Sequence, residues 1–242
     1  MLFDLKKERA ALQFSGGKDS LACLFFLREH WDDLTVYWTN TGATFPETVA
    51  LMEKVRAMVP SFVEIKTDQP ANIAEMGWPV DVLPILSSPA MRPLHTKPRL
   101  KLQSFLGCCH ENIMRPMHDR MREDGITLII RGQRKEDVNK NPVRPTDTEN
   151  GMRCWFPIED WTGEQVRDYL GKQEIGLPEN YQEMDTSLDC WNCTGFLEHN
   201  IGKRRYMKKN HPEAYALVSE MLTLIAQETE RDIAYLKEAI ET

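Results

Sequence analysis

The chain lacks any long apolar run. The longest, Leu21 to Leu27, falls far short of the ~20 residues that span a bilayer, so no membrane segment is expected. Its first residues, Met1 to Arg9, alternate Leu and Phe with Asp, Lys and Glu, without an apolar leader core or a cleavage pattern, and a cytoplasmic protein is the expectation. Gly and Pro number only 13 and 14 of 242 residues, with no repeat period and no polar tract, which excludes collagen-like, solenoid and disordered readings. Positive charge is not in excess: 30 Lys and Arg against 37 Asp and Glu leave −7, which argues against a surface built throughout for polyanions. Much of that deficit sits in His211 to Thr242, so a local basic face elsewhere remains open. In a reducing compartment structural disulfides are disfavoured, so the six cysteines are read as metal ligands, reactive thiols or core residues.

What is present is an alternation of strands and helices. Ala10 to Phe14 is a short apolar strand ending in Ser-Gly-Gly, and a helical pattern follows from Lys18 to about Trp31. Leu34 to Trp38 reads as a strand, Pro46 to Val55 as a helix with Pro in its first turn, and Phe62 to Ile65 as a third strand. The Pro-rich stretch Pro79 to Pro98 reads as loop or lid. Cys109 to Arg122 reads as a helix kinked at Pro116, and Leu128 to Ile130 as a buried strand. A helix follows Thr162, from Gly163 to Gly171. The segment Glu213 to Ile240 sets Leu217, Met221, Leu224, Ile233, Leu236 and Ile240 at helical spacing, an apolar stripe that must pack on the domain or on a second copy of the chain. The pattern predicts an α/β protein with a doubly wound parallel sheet, occupying residues 1–200, and a helical C-terminal extension over 201–242.

The strongest local signal is Ser15-Gly16-Gly17-Lys18-Asp19-Ser20, between the first strand and first helix. Two glycines let backbone approach a phosphate, two serines add hydroxyls, and the helix N-terminus aims N–H groups and its dipole at the same point. The spacing is neither that of a Walker A loop nor that of the dinucleotide fingerprint. Taken alone, it is also compatible with an ordinary Gly turn capped by Ser.

The cysteines are the second signal. Cys108 and Cys109 are adjacent, Cys190 and Cys193 form a C-x-x-C, and the two pairs stand 81 positions apart. Four thiolates suffice for a 4Fe–4S cluster or for tetrahedral zinc. Cys23, among Leu21, Ala22, Leu24 and Phe25, reads as core; Cys154 reads as a half-buried strand residue or as an accessible thiol. His110 could bond a cluster sulfur, while His118 and His199 read as surface or packing residues. Two basic groups, Lys97, Arg99 and Lys101, then Lys203, Arg204, Arg205, Lys208 and Lys209, flank the cysteines as solvated helix faces or as one convergent anion mouth.

The six-residue loop resembles the PP-loop of the ATP pyrophosphatase superfamily. Further segments narrow the resemblance to phosphoadenosine and adenosine phosphosulfate reductases: Thr39-Asn40-Thr41-Gly42 with Phe45-Pro46-Glu47-Thr48, Gly132-Gln133-Arg134-Lys135-Glu136-Asp137, and Phe156-Pro157-Ile158-Glu159-Asp160-Trp161-Thr162. These are similar, in order, to that family's Asp-Thr-Gly with Phe-Pro-Glu-Thr, Gly-x-Arg-Arg, and Asn-Pro-Leu-x-x-Trp-Thr elements. The resemblance implies an adenine nucleotide alpha hydrolase-like fold that binds ATP or a related nucleotide through Ser15, Gly16, Gly17, Lys18, Asp19, Ser20, Thr41, Gly42, Gln133 and Arg134. Lys18, Asp19 and Arg134 are its candidate catalytic residues, with Arg134 clamping the phosphate or sulfate end. It also implies a 4Fe–4S centre on Cys108, Cys109, Cys190 and Cys193. Asn40 replaces the family's Asp, which weakens any Mg²⁺ contact there.

The reductases resembled here carry a nucleophilic cysteine in a C-terminal Glu-Cys-Gly-x-His tail; this sequence has no cysteine after Cys193. Three readings follow. In the first, ATP is cleaved to AMP and pyrophosphate to activate an acceptor, plausibly a nucleic acid, for sulfur insertion, with a cysteine desulfurase as sulfur donor. In the second, a sulfonucleotide is reduced by a thiol from thioredoxin, from glutathione or from Cys154. In the third, the protein is a nucleotide-binding or redox-sensing subunit. A homo-oligomer through the C-terminal helix is compatible with all three.

Overall fold

The computed structural model describes residues 3–94, 99–137 and 143–241. Its elements run β1 (Ala10–Gln13), α1 (Lys18–Phe26), β2 (Leu34–Asn40), α2 (Pro46–Met58), β3 (Phe62–Lys66), α3 (Gln69–Met76), β4 (Trp78–Val80), β5 (Leu102–Ser104), α4 (Phe105–Cys109), α5 (Arg115–Glu123), β6 (Leu128–Ile130), β7 (Thr148–Glu149), β8 (Met152–Trp155), α6 (Gly163–Leu170), α7 (Leu197–Asn210) and α8 (Pro212–Glu241). Six strands form one sheet in the order β3-β2-β1-β6-β8-β7, parallel except for the antiparallel edge strand β7.

Successive strand residues point to opposite faces, and the two cores follow that alternation. Leu12, Phe14, Val36, Trp38, Leu128 and Ile130 face the layer that holds α1, α2 and α6. Ala11, Tyr37, Ile129 and Cys154 face the layer that holds Met117 and Met121 of α5. Cys23 is fully buried in the first core. Cys154, fully buried in the second, is an inert core thiol and is therefore removed as a candidate nucleophile.

Local chemistry moves several boundaries. The helix begun at Lys18 ends at Phe26 and a 3₁₀ stretch covers Arg28–Asp33, because Trp31 Nε1 takes the Leu24 carbonyl at 2.9 Å and His30 N–H bonds Leu27 O at 2.8 Å. Part of the expected Pro-rich loop is strand β4, paired in parallel with β5 as a second, two-stranded sheet. The helix expected to kink at Pro116 instead passes through a π-turn at His110–Met114 before α5. Pro116 has no N–H to offer Asn112 O four residues back, and that carbonyl accepts Thr67 Oγ1 at 2.8 Å. A capping box between Thr162 and Gln165 starts α6.

α8 is one helix of 30 residues, but its packed face is not the predicted stripe. Val218, Leu222, Ile225 and Glu228 turn inward, while Leu217, Leu224, Ile233, Leu236 and Ile240 stay exposed. The anchor is polar: Glu228, 4% exposed, accepts Ser87 Oγ at 2.6 Å and pairs with Arg99 Nε at 2.7 Å, while Arg99 Nη2 reaches Asp232 at 3.0 Å. An apolar period cannot reveal such a pair. The division expected after residue 200 falls inside α7, which packs against α8 and reaches the cysteines through Lys203. Among the described residues no helix is long and apolar enough to cross a membrane.

Candidate active site

The carboxyl ends of β1, β2 and β6 open into a cavity of about 500 Å³. This is where open α/β sheets place their ligands. Its wall includes Ser15, Asp19, Ser20, Thr41 and Gln133 from the predicted set, with Trp38, Ile113, Met114 and Met117 as apolar surface, and Cys190. Gly16, Gly17, Lys18, Gly42 and Arg134 stand outside this wall.

The loop after β1 is held by its own hydroxyls. Ser15 Oγ accepts Gly17 N–H at 3.3 Å, Ser20 Oγ donates to Gly17 O at 2.9 Å, and the two hydroxyls lie 3.2 Å apart. Gly16 has φ +79°, a left-handed conformation that an L side chain rarely adopts, and a Cβ there would stand 2.9 Å from Met52 Cε. Lys18 N–H is already used: it donates to Tyr181 Oη at 2.9 Å. That leaves the N–H groups of Asp19 and Ser20, both on the cavity wall, at the positive end of α1.

The charged residues are arranged for support. Lys18 Nζ bonds Asp19 Oδ2 at 2.7 Å. Arg134, 7% exposed, pairs with Asp19 at 2.7 Å, Glu136 at 3.0 Å and Asp137 at 2.9 Å, tying α1 to the loop after β6. Arg134, expected as a phosphate clamp, is thus engaged by three carboxylates, of which Asp19 lies on the cavity wall. Asn40, in the position discussed for Mg²⁺, organises a turn: its Oδ1 accepts Gly42 N–H at 3.1 Å and its Nδ2 donates to Glu64 at 2.9 Å.

The four cysteines come together from two directions. Ser104 caps α4, which carries Cys108 and Cys109. The C-x-x-C turn is fixed by a bridge between Thr44 and Cys190 and by Trp191 N–H on Ala43 O at 2.9 Å. Thr194 Oγ1 on Pro79 O at 2.7 Å and the stacked rings of Phe105 and Phe196 join that turn to β4 and α4. Burial pushes the Cys108 thiol up to about 11 and the Cys190 thiol to about 12, and raises Cys109 and Cys193 as well; the charge of Cys193 raises the other three further. The surroundings are donors: Gln69 Nε2 and Asn112 Nδ2 lie 3.9 and 3.7 Å from Cys108 Sγ, and the Thr41 hydroxyl lies 3.3 Å from Cys190 Sγ.

Lys203 is the decisive neighbour. It is 2% exposed, bonds Cys190 O at 3.5 Å, and has no carboxylate in ion-pair contact among the described residues. A buried ammonium needs an anion, and an iron–sulfur centre on four thiolates supplies one; the donor set fits such a group. Among the described residues no three His, Cys, Asp or Glu side chains are drawn together as ligands of a single metal ion.

Among the described residues most members of the two basic groups are engaged elsewhere, while Arg205 is exposed. Arg99 is tied to α8, Lys101 to Ala74 O, Lys203 is buried at the cysteines, Lys209 bonds Glu183, and Arg204 and Lys208 cover the Tyr215 ring; Lys97 lies outside the described residues. His110 pairs with Glu111, and His199 stacks on Phe196. Sequence reasoning missed Arg131, Tyr181, Gln69 and Asn112. Only Arg131 left a trace, as a charge ending the apolar run of β6 just before Gly132.

The family model described as the phosphoadenosine phosphosulfate reductase domain matches residues 9–196. An adenosine 5′-phosphosulfate reductase of Deinococcus radiodurans is 22% identical over 160 residues, covering 66% of this chain but only 56% of that protein. A phosphoadenosine 5′-phosphosulfate reductase of Gloeobacter violaceus is 24% identical over 195 residues, 77% of this chain and 72% of its own length. The crystal structure of a phosphoadenylyl-sulfate reductase from Candida auris, a phosphate complex, shares the fold with TM-score 0.52 at 17% identity, over 75% of this chain and 81% of that one.

Proposed function

Given that the chain belongs to the phosphoadenosine phosphosulfate reductase domain family, we propose that it is an adenine-nucleotide-binding, cluster-bearing enzyme of sulfur transfer, acting in the cytoplasm, that cleaves ATP to AMP and pyrophosphate to activate an acceptor. One observation carries this reading: Ser15, Asp19 and Ser20 of the phosphate loop and Cys190 of the cysteine group line the same cavity. The thiols outside that group, Cys23 and Cys154, are sealed in the cores, so the described residues bring no separate nucleophilic cysteine to a sulfonucleotide.

The phosphates would sit against the loop, taking the N–H groups of Asp19 and Ser20 and the Ser hydroxyls, with Gln133 beside them. Mg²⁺ accompanying them would find Asp189 on the cavity wall, because both Asp19 oxygens are paired with Lys18 and Arg134. An acceptor oxygen attacks the α-phosphorus and pyrophosphate leaves. A persulfide sulfur from a desulfurase-type donor then displaces AMP, and an external thiol reduces the resulting disulfide. Cys108, Cys109, Cys190 and Cys193 would hold the 4Fe–4S cluster, whose bound form supplies a fixed negative charge and a redox centre next to the nucleotide.

The names of the two curated relatives favour a second reading, in which a sulfonucleotide is reduced by an external thiol such as thioredoxin. Anaerobic protein incubated with α-labelled ATP, a persulfide donor and candidate nucleic acids separates the two. AMP and pyrophosphate formed only when an acceptor is present support the first. Steady sulfite release from a sulfonucleotide with thioredoxin overturns it in favour of the second.

A further inference from the structure

Helix α8 outruns the domain it packs on. Its inward face steps by four and three residues through Val218, Leu222 and Ile225, and the same steps continue through Thr229, Ile233, Leu236 and Ile240. These positions form one stripe. Along it exposure climbs from 9% at Ile225 to 42% at Ile233, 64% at Leu236 and 83% at Ile240. Asp232 is still tied to the body by Arg99, but the turns after it carry a core-type face that no described residue covers. Beside the start of this overhang lies an apolar groove of about 300 Å³, walled by Val80, Val82, Leu197, Leu222 and Ala226, with Thr229 and Glu230 on the α8 side.

We propose that a second copy of the chain covers both the stripe and the groove, the two α8 helices packing antiparallel about a two-fold axis. The domain body fixes the direction. It sits on the same face as the stripe, so in a parallel pair the two bodies would collide at one end, whereas in an antiparallel pair they lie at opposite ends and the contact closes on itself.

Charge fixes the register. Glu230 and Lys237 are exposed on one flank of the stripe, two turns or about 10.5 Å apart, too far to pair within a single helix. With Ile233 set against the partner's Leu236, Glu230 of each copy falls beside the partner's Lys237, which gives two equivalent pairs. In the same register Ile240 of each copy falls beside the partner's Thr229, at the mouth of the partner's groove. The helices then overlap from Glu228 to Glu241, about 21 Å. Between Thr229 and Glu241 four acidic residues, Glu230, Asp232, Glu238 and Glu241, outweigh Arg231 and Lys237, which disfavours a nucleic acid or an anionic membrane as the cover. The interface goes beyond the nucleotide reading above and does not depend on it.

The test is sedimentation velocity of the full chain over a micromolar concentration series, with circular dichroism as the check on folding. The unaltered protein should show a reversible monomer–dimer equilibrium. Leu236→Glu, at an exposed position, should keep the fold and weaken the dimer at least about 100-fold, because two carboxylates enter the apolar seam. Glu230→Lys and Lys237→Glu should each weaken it about 10-fold by setting like charges opposite one another, and the double variant should restore it. A chain that stays monomeric throughout the series overturns the proposal, a result that needs no variant to fold. A dimer indifferent to Leu236→Glu overturns it as well. A dimer weakened by Lys237→Glu but not by Glu230→Lys overturns the antiparallel register, because in a parallel pair Asp232 would face the partner's Lys237. A monomer that floats with anionic phospholipid vesicles, and no longer does so as Leu236→Glu, assigns the stripe to a membrane and overturns the second copy as its cover.

Discussion

Replacing Gly132 by Ala tests the packing that builds the cavity. A Cβ at Gly132 would lie 2.4 Å from Asp19 O, 2.6 Å from Asp19 C and 2.7 Å from Ser20 N, all backbone atoms of the first turn of α1. Contacts under 3.0 Å are essentially never made by real Cβ atoms, so the loop after β6 and the start of α1 must part by at least about 0.6 Å. Neither side yields easily: Leu21 N–H bonds Gly17 O at 2.9 Å, and Arg131 N–H bonds Trp155 O at 3.1 Å. Overpacking of this kind costs about 1–3 kcal/mol, and at ~2–4 °C per kcal/mol for a protein of this size the midpoint should fall by about 2–12 °C. Gly107→Ala is the matched control, because its Cβ meets only Ser104 Cβ at 3.9 Å within α4. It should stabilise by about 0.5–1 kcal/mol through helix propensity. Thermal unfolding followed by circular dichroism, with ATP titration at 25 °C, reads both variants. A Gly132→Ala protein that melts within about 1 °C of the parent and keeps its ATP affinity would refute the close approach.

Ser in place of Cys108, Cys109, Cys190 or Cys193 should abolish the bound iron and sulfide of anaerobically prepared protein, whereas Cys23→Ser should retain them; zinc without labile sulfide in the parent would count against the cluster. Arg134→Met leaves Asp19, Glu136 and Asp137 without their shared cation and should cost about 3 kcal/mol, read from urea midpoints; a loss of nucleotide affinity at unchanged stability would instead place Arg134 on the phosphates. Glu47 Oε1 lies 2.7 Å from both Tyr206 Oη and His211 Nε2; burial alone would raise its pKa, but these bonds outweigh it and hold the carboxyl below the usual range. Its stabilising contribution is therefore full above the ordinary Glu value of about 4.3 and is lost as pH falls below it. Midpoints measured from pH 7 to pH 3 should drop more steeply for the parent than for Glu47→Gln, and parallel curves would show that the triad contributes nothing.

The strands were legible because burial on both faces demands unbroken apolar runs, and Leu128 to Ile130 is such a run. The turn at Gly16 was legible because only glycine accepts that backbone conformation cheaply. The spacing of Cys108 and Cys109 against Cys190 and Cys193 set these four apart from Cys23, which lies among apolar neighbours along the chain. What the string of residues could not show was the partner of each charge. Arg134, Arg99 and Lys203 look alike along the chain, yet one is held by three carboxylates, one pins α8 to the residues before β5, and one lies buried against the cysteines. Sequence alone thus determined the sheet and the glycine turn after β1, because periodicity and backbone strain are local properties. Only the tertiary structure decided which face of α8 packs and which cysteine reaches the nucleotide cavity, because desolvation and ion pairing depend on neighbours a hundred or more residues away.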